Sequence, residues 1–244
     1  MDFTVVIPAR FDSQRLPGKA LVDIAGKPMV QRVYEQACLS QATDVIIATD
    51  DERIATVVSD FGGQCCMTSR DHPSGTDRIQ EVISQRKLSD DAIVVNVQGD
   101  EPLIPPEVIN QIASNLHSTG VAMATLYELI DSTKDLLDPN IVKLVNDKNG
   151  YALYFSRAPI PFNRDHTEVL TINHKRHVGI YAYQAALLND FVKWETDELE
   201  VLEKLEQLRA LRRGIKIHVA EAVSSIPPGI DTAEDLERTR QLFK

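Results

Sequence analysis

The apolar and polar positions of the first half fall into strand–helix pairs. Residues 4–7 are a β-branched run that Pro8 halts. In 28–38, Met29, Val30, Val33 and Ala37 recur at helical spacing, and Pro28 suits a first helical turn. The pattern then predicts a buried strand over 45–48, a helix over 53–61 through Ile54, Val57, Val58 and Phe61, and a short strand over 64–67. A helix starts at about Gly75 with Ile79, Val82 and Ile83 turned inward. Residues 93–97 are the clearest buried strand, and 106–116 are helical again. Near-continuous apolar strands alternating with amphipathic helices predict a parallel sheet covered on both faces.

After about residue 120 the rhythm changes. Segments 141–145 and 151–155 flank Asp147-Lys148-Asn149-Gly150, which reads as a hairpin turn. Strands are predicted over 178–183 and 215–220, one long helix over 199–213, and a closing helix over 233–242. The second half therefore reads as an antiparallel extension of the same α/β sheet, and 1–244 as a single domain.

Composition narrows the class. The chain has 244 residues, 43% hydrophobic and 25% charged, as soluble globular proteins do and disordered ones do not. Its net charge of −10 argues against a nucleic-acid binder, while leaving room for a local basic patch. Cys38, Cys65 and Cys66 are odd in number and contain no C-x-x-C, which argues against a disulfide framework or zinc site and fits a reducing cytoplasm. No apolar run is long enough to span a membrane, and residues 3–8 are too short for a secretory signal.

Candidate chemistry sits in loops after strands, where open α/β sheets bind ligands. The loop from Pro8 and Ala9 to Lys19 carries Arg10, Ser13, Arg15 and Gly18. The two arginines suit phosphate oxygens as planar forks, and Lys19 adds a point charge. It is neither a Walker A loop nor Gly-x-Gly-x-x-Gly, and a solvated basic loop is the plainer reading. Gln98-Gly99-Asp100-Glu101-Pro102 follows the clearest strand, so Asp100 is placed for a divalent cation, or else forms an Asx-type turn. Asp231 is a second candidate ligand, though it or Thr232 could simply cap the last helix.

His72-Pro73-Ser74-Gly75-Thr76-Asp77-Arg78 opens a helix whose amides could bind an anion, with capping by Thr76 or Asp77 as the alternative. Glu206 lies beside the stripe of Leu199, Leu202, Leu205 and Leu208 and needs a partner. Arg209 or Arg213 is favoured over a substrate hydroxyl. His174 and His177 are three apart but at a strand start, which disfavours metal there. His177 could instead donate to a ligand carboxylate, with Tyr181 on the same strand face.

Together, Ile7-Pro8-Ala9-Arg10, Arg15-Leu16-Pro17-Gly18-Lys19, the His72–Arg78 string, Val95-Asn96-Val97-Gln98-Gly99-Asp100-Glu101-Pro102, Tyr154-Phe155-Ser156-Arg157, His177-Val178-Gly179-Ile180-Tyr181 and Leu205-Glu206-Gln207-Leu208-Arg209 resemble the 3-deoxy-manno-octulosonate cytidylyltransferase (CMP-Kdo synthetase) family. The resemblance covers essentially the whole chain, in order. It implies a Rossmann-like nucleotidyltransferase fold. Its nucleotide-binding half would span about 1–120, and its sugar-binding and dimerisation half about 121–244. The implied reaction joins CTP and the ulosonic acid Kdo into CMP-Kdo with release of pyrophosphate, for lipopolysaccharide synthesis. It implies Arg10, Arg15 and Lys19 on the triphosphate, and Asp100 and Asp231 on Mg²⁺. Pro8, Ala9, Ser13, Ser74, Gly75, Arg78 and Gln98 would stand around the nucleotide, and Arg78, Gln98, Arg157, His177, Tyr181, Glu206 and Gln207 around the sugar. A cytoplasmic homodimer is the expected form.

Gln14, Ala20, Phe162, Asp197-Glu198 and the 225–231 approach to Asp231 depart from the usual family strings. Added acid at Asp12, Asp197 or Glu198 would suit an 8-amino form of the sugar, the alternative substrate. Another sugar-acid nucleotidyltransferase and a nucleotide-sensing binding protein are the remaining alternatives.

Overall fold

The computed structural model describes residues 1–12, 16–166 and 169–242. Strand β1 (Phe3–Pro8) is followed by a short 3₁₀ turn (Lys19–Leu21) and a small ribbon of β2 (Asp23–Ile24) and β3 (Lys27–Pro28). Then come α1 (Met29–Cys38), β4 (Asp44–Thr49), α2 (Glu52–Asp60), β5 (Gln64–Met67), α3 (Gly75–Arg86), β6 (Ile93–Asn96) and α4 (Pro106–Thr119). The predicted alternation is realised with shifts of one to three residues at most ends.

The second half contributes β7 (Met123–Leu129), α5 (Thr133–Leu137), β8 (Lys143–Asn146), β9 (Ala152–Ser156), β10 (Lys175–Gln184) and α6 (Ala185–Phe191). It ends with α7 (Glu198–Glu203), α8 (Gln207–Arg212), β11 (Ile217–Glu221) and α9 (Ala233–Gln241). The sequence pattern missed β7, α5 and α6. Thr125 and Glu128 interrupt the apolar run of β7, and α5 and α6 are too short to show a helical period.

The long helix expected over 199–213 is corrected. It breaks at Lys204, which takes φ 54° in the left-handed region, so α7 and α8 are separate and Leu202 faces solvent. Asp197 and Glu200 form a capping box that starts α7.

One sheet carries strands of both halves in the order β11-β7-β10-β6-β1-β4-β5, with the β8–β9 hairpin paired to β10. Strands β6, β1, β4 and β5 are mutually parallel. β10 runs antiparallel to both β6 and β7, the predicted antiparallel extension. Alternation along β1 splits the core: Val5 and Ile7 pack under α1, α2 and α4, while Val6 packs under α3, α6 and α8. After β1 the chain builds outward through β4 and β5, then returns to place β6 on the other side of β1. That reversal opens a crevice beyond the carboxyl ends of β1 and β6.

Candidate active site

The crevice is a cavity of about 840 Å³. Its wall comes from the loop after β1 (Pro8, Ala9, Arg10, Phe11, Lys19), the start of α3 (Ser74, Gly75, Arg78), the loop after β6 (Gln98, Gly99, Asp100) and Asp231. Ten of the residues expected around the nucleotide and metal thus meet in one place. Ser13 and Arg15 lie outside the described residues. His72, Gly99 and Phe11 also line the wall; the sequence pattern assigned them no role there.

The loop after β6 is held close to β1. A Cβ on Gly99 would stand 2.7 Å from the Pro8 carbonyl, so only glycine fits without moving one strand exit. The Asp100 carbonyl accepts the Ile230 N–H at 2.9 Å, which brings the segment before α9 to the loop. The helix cap of α9 is Thr232, boxed with Asp235, and Asp231 is not the cap. Its carboxylate meets Lys19 Nζ at 2.8 Å, while Asp100 meets the same ammonium at 2.6 Å. Two carboxylates 131 positions apart in the chain therefore converge on a point already held by a cation. Beside them, one carboxyl oxygen of Glu101 is sealed without a hydrogen-bond partner among the described residues. Burial, aided by the Asp100 charge, pushes the Glu101 carboxyl up to about 8.

At α3 the cap is Ser74, whose hydroxyl accepts from the N–H groups of Thr76 and Asp77, in place of the expected Thr76 or Asp77. The helix start thus faces the cavity with its amide end, a favourable setting for an anion. Arg78 is buried in the wall, bonded to Thr68 and 3.3 Å from Asp50. Arg10 is exposed at the mouth.

A second group of predicted residues borders this cavity without lining it. Gln98 Nε2 donates to the Gly179 carbonyl at 3.4 Å, linking the wall to β10. His177 and Tyr181 lie there with ring centroids 5.3 Å apart. Glu206 precedes α8 and accepts from the Thr76 hydroxyl, two residues from Ser74. Burial raises its carboxyl above the usual range. The favoured Arg209 partnership is corrected: Arg209 is forked onto Glu200 at 2.5 and 2.7 Å and approaches Glu206 only to 3.9 Å. The Tyr181 hydroxyl and Gln207 Nε2 are buried with no partner among the described residues.

Arg157 is not brought to either group. Its guanidinium binds the carbonyls of Glu203, Pro139 and Lys204, which ties β9 to the α7–α8 break. Asp197 caps α7 and pairs with Arg212, and Glu198 is exposed, so neither adds acid to the cavity; Asp12 does line it.

A switch-point cavity with a cationic first loop, paired carboxylates and a helix start is the arrangement of an α/β nucleotidyltransferase. Residues 4–217 match the family model described as Cytidylyltransferase. The chain belongs to the 3-deoxy-manno-octulosonate cytidylyltransferase family. A relative of that name from Vibrio vulnificus is 58% identical, with 100% of this chain and 98% of the relative covered. One from Photobacterium profundum is 56% identical with full coverage of both. The solved structure of a CMP:2-keto-3-deoxy-manno-octonic acid synthetase complexed with CTP superposes with a TM-score of 0.92 at 42% identity, covering 100% of this chain and 98% of that one. A structure described as a putative glucose-1-phosphate thymidylyltransferase from Bacillus anthracis shares the fold, with a TM-score of 0.67 at 16% identity over 99% and 95% of the two chains.

Proposed function

We propose that this protein activates 3-deoxy-manno-octulosonate with CTP, giving the CMP-sugar and pyrophosphate. The observation that carries the reading is the convergence of Asp100 and Asp231 on Lys19 inside the switch-point cavity. In the reaction, the anomeric oxygen of the sugar acid forms a bond to the α-phosphorus. The bond from that phosphorus to the bridging oxygen breaks, pyrophosphate leaves, and the hydroxyl proton passes to solvent. Such chemistry needs alignment and charge neutralisation more than a covalent nucleophile.

Arg10 and Lys19 would hold the triphosphate, joined by Arg15 and Ser13, and the start of α3 would add its amides. Pro8, Ala9, Ser74, Gly75, Arg78 and Gln98 would surround the nucleotide. Asp100 and Asp231 fit Mg²⁺, since the Lys19 ammonium shows both carboxylates aimed at one cationic point. Bound there, Mg²⁺ would neutralise phosphate charge. The sugar acid would sit against His177, Tyr181, Glu206 and Gln207. The partnerless Tyr181 hydroxyl and Gln207 amide support this, because buried polar atoms in a finished fold are normally bonded.

Exposed Leu153 on β9 and Val201 and Leu202 on α7 support a homodimer. Glu203 bonds Ser156 at 2.6 Å and so holds the two elements together. The three unpaired cysteines suit a reducing cytoplasm.

The test is pyrophosphate release with CTP and Mg²⁺, run with the 3-deoxy sugar acid and with its 8-amino analogue. Release with the hydroxyl sugar is expected. The relatives' shared name and the absence of Asp197 and Glu198 from the cavity disfavour the amine. Release with neither sugar overturns the reading.

A further inference from the structure

Strand β10 carries a bulge where it runs along β7. Val178 pairs with Leu126, but the next pair is Tyr181 with Thr125, so Gly179 and Ile180 are left over between them. Thr125 is fully buried at this point. Its hydroxyl oxygen lies 3.0 Å from the Val178 carbonyl, 2.8 Å from the Ile180 carbonyl and 3.0 Å from His177 Nε2.

A hydroxyl has one proton to give and lone pairs that accept. Both carbonyls can only accept, so the Thr125 proton is directed to one of them. What remains facing Nε2 is a lone pair, and the bond to His177 forms only if Nε2 carries hydrogen. The opposite choice would turn the hydroxyl proton to the imidazole. Both buried carbonyl oxygens, rather than one of them, would then face the Thr125 oxygen with no hydrogen between, the costlier arrangement in a sheet interior.

We propose that Thr125 is a positioning residue. It fixes His177 as the Nε2–H tautomer and presents Nδ1 as an acceptor for a hydroxyl of the sugar acid. The choice of a sugar hydroxyl rests on the functional reading above; the tautomer does not. No described residue bonds Nδ1. The Phe155 and Tyr181 ring centroids lie 5.2 and 5.3 Å from that of the imidazole, and the His177 backbone N–H is committed to the Val142 carbonyl at 2.7 Å. Burial holds the imidazole pKa down to about 3, so the ring is neutral near pH 7 and one nitrogen is bare. The sequence suggested that His177 donates to a substrate carboxylate; the bulge reverses that polarity.

Long-range nitrogen–proton correlation on nitrogen-15-labelled protein reads which ring nitrogen carries hydrogen. The His177 signals are identified by their loss in His177→Gln. The unaltered protein is expected to show hydrogen on Nε2, and Thr125→Ser to preserve it. Thr125→Val is expected to release the tautomer. It should also raise KM for the sugar acid about tenfold, the equivalent of one hydrogen bond, with KM for CTP unchanged. Hydrogen on Nδ1 in the unaltered protein, which needs no variant to fold, overturns the proposal. An unchanged tautomer in Thr125→Val does the same. Failure of the unaltered protein to release pyrophosphate, with spectra as expected, overturns the functional reading and supports the tautomer assignment.

Discussion

At the level of one side chain, the Lys19 ammonium pairs with both Asp100 and Asp231 in the free protein, and in the proposed reaction the same group would receive phosphate oxygens. The carboxylates are half-exposed, so their pairing contributes little to stability and their convergence is better explained by ligand binding. Asp100→Asn removes a charge with little change of shape. Turnover is expected to fall by at least ~10²-fold, the scale of losing one key electrostatic group. The thermal midpoint should stay within a few degrees, read by calorimetry beside the pyrophosphate assay. Near-normal turnover would take Asp100 out of the site.

Among the elements, the closest tolerance is where β1 and the loop after β6 leave the sheet. Gly99 is there because a side chain would strike the Pro8 carbonyl, a backbone atom that cannot rotate away. Gly99→Ala is expected to cost about 1–3 kcal/mol in urea unfolding, the usual scale for an overpacked contact. It should also lower turnover, since Gln98 and Asp100 flank the displaced residue. Unchanged stability would show that the two exits can part freely. The neighbouring α7–α8 break shows a different local conflict. A leucine stripe from 199 to 208 predicts one helix, but Lys204 turns left-handed and Leu205 packs inward while Leu202 does not. Tertiary packing decided that case, and lysine carries no helix-stop signal of the kind glycine does.

Across the molecule, the parallel half was legible because β1, β4 and β6 are buried on both faces and each helix has one apolar stripe. The Pro8–Lys19 and Gln98–Asp100 loops were legible as strand exits. That they share a cavity with Asp231 was not: residues 131 positions apart carry no local pattern, and the family resemblance alone joined them. Thr125 left no signal, because its strand was missed and its role depends on a bulge. Arg157 went the other way, a motif residue whose guanidinium is spent on three carbonyls. The exposed leucines of β9 and α7 belong to the same scale. Light scattering should find a dimer at micromolar concentration, and Leu153→Lys with Leu202→Lys should give a monomer. A monomer without the substitutions would remove the proposed interface.

The bond between Lys19 and Asp231 spans 212 positions. A chain emerging from the ribosome can pair β1, β4, β5 and β6 long before residue 231 is made. Its second carboxylate arrives only with the segment that leads into α9, and the loop it closes takes in every strand after β1. Completion of the site therefore waits until residue 231 is made, long after the four parallel strands, and a chain that stops before it carries half of the carboxylate pair.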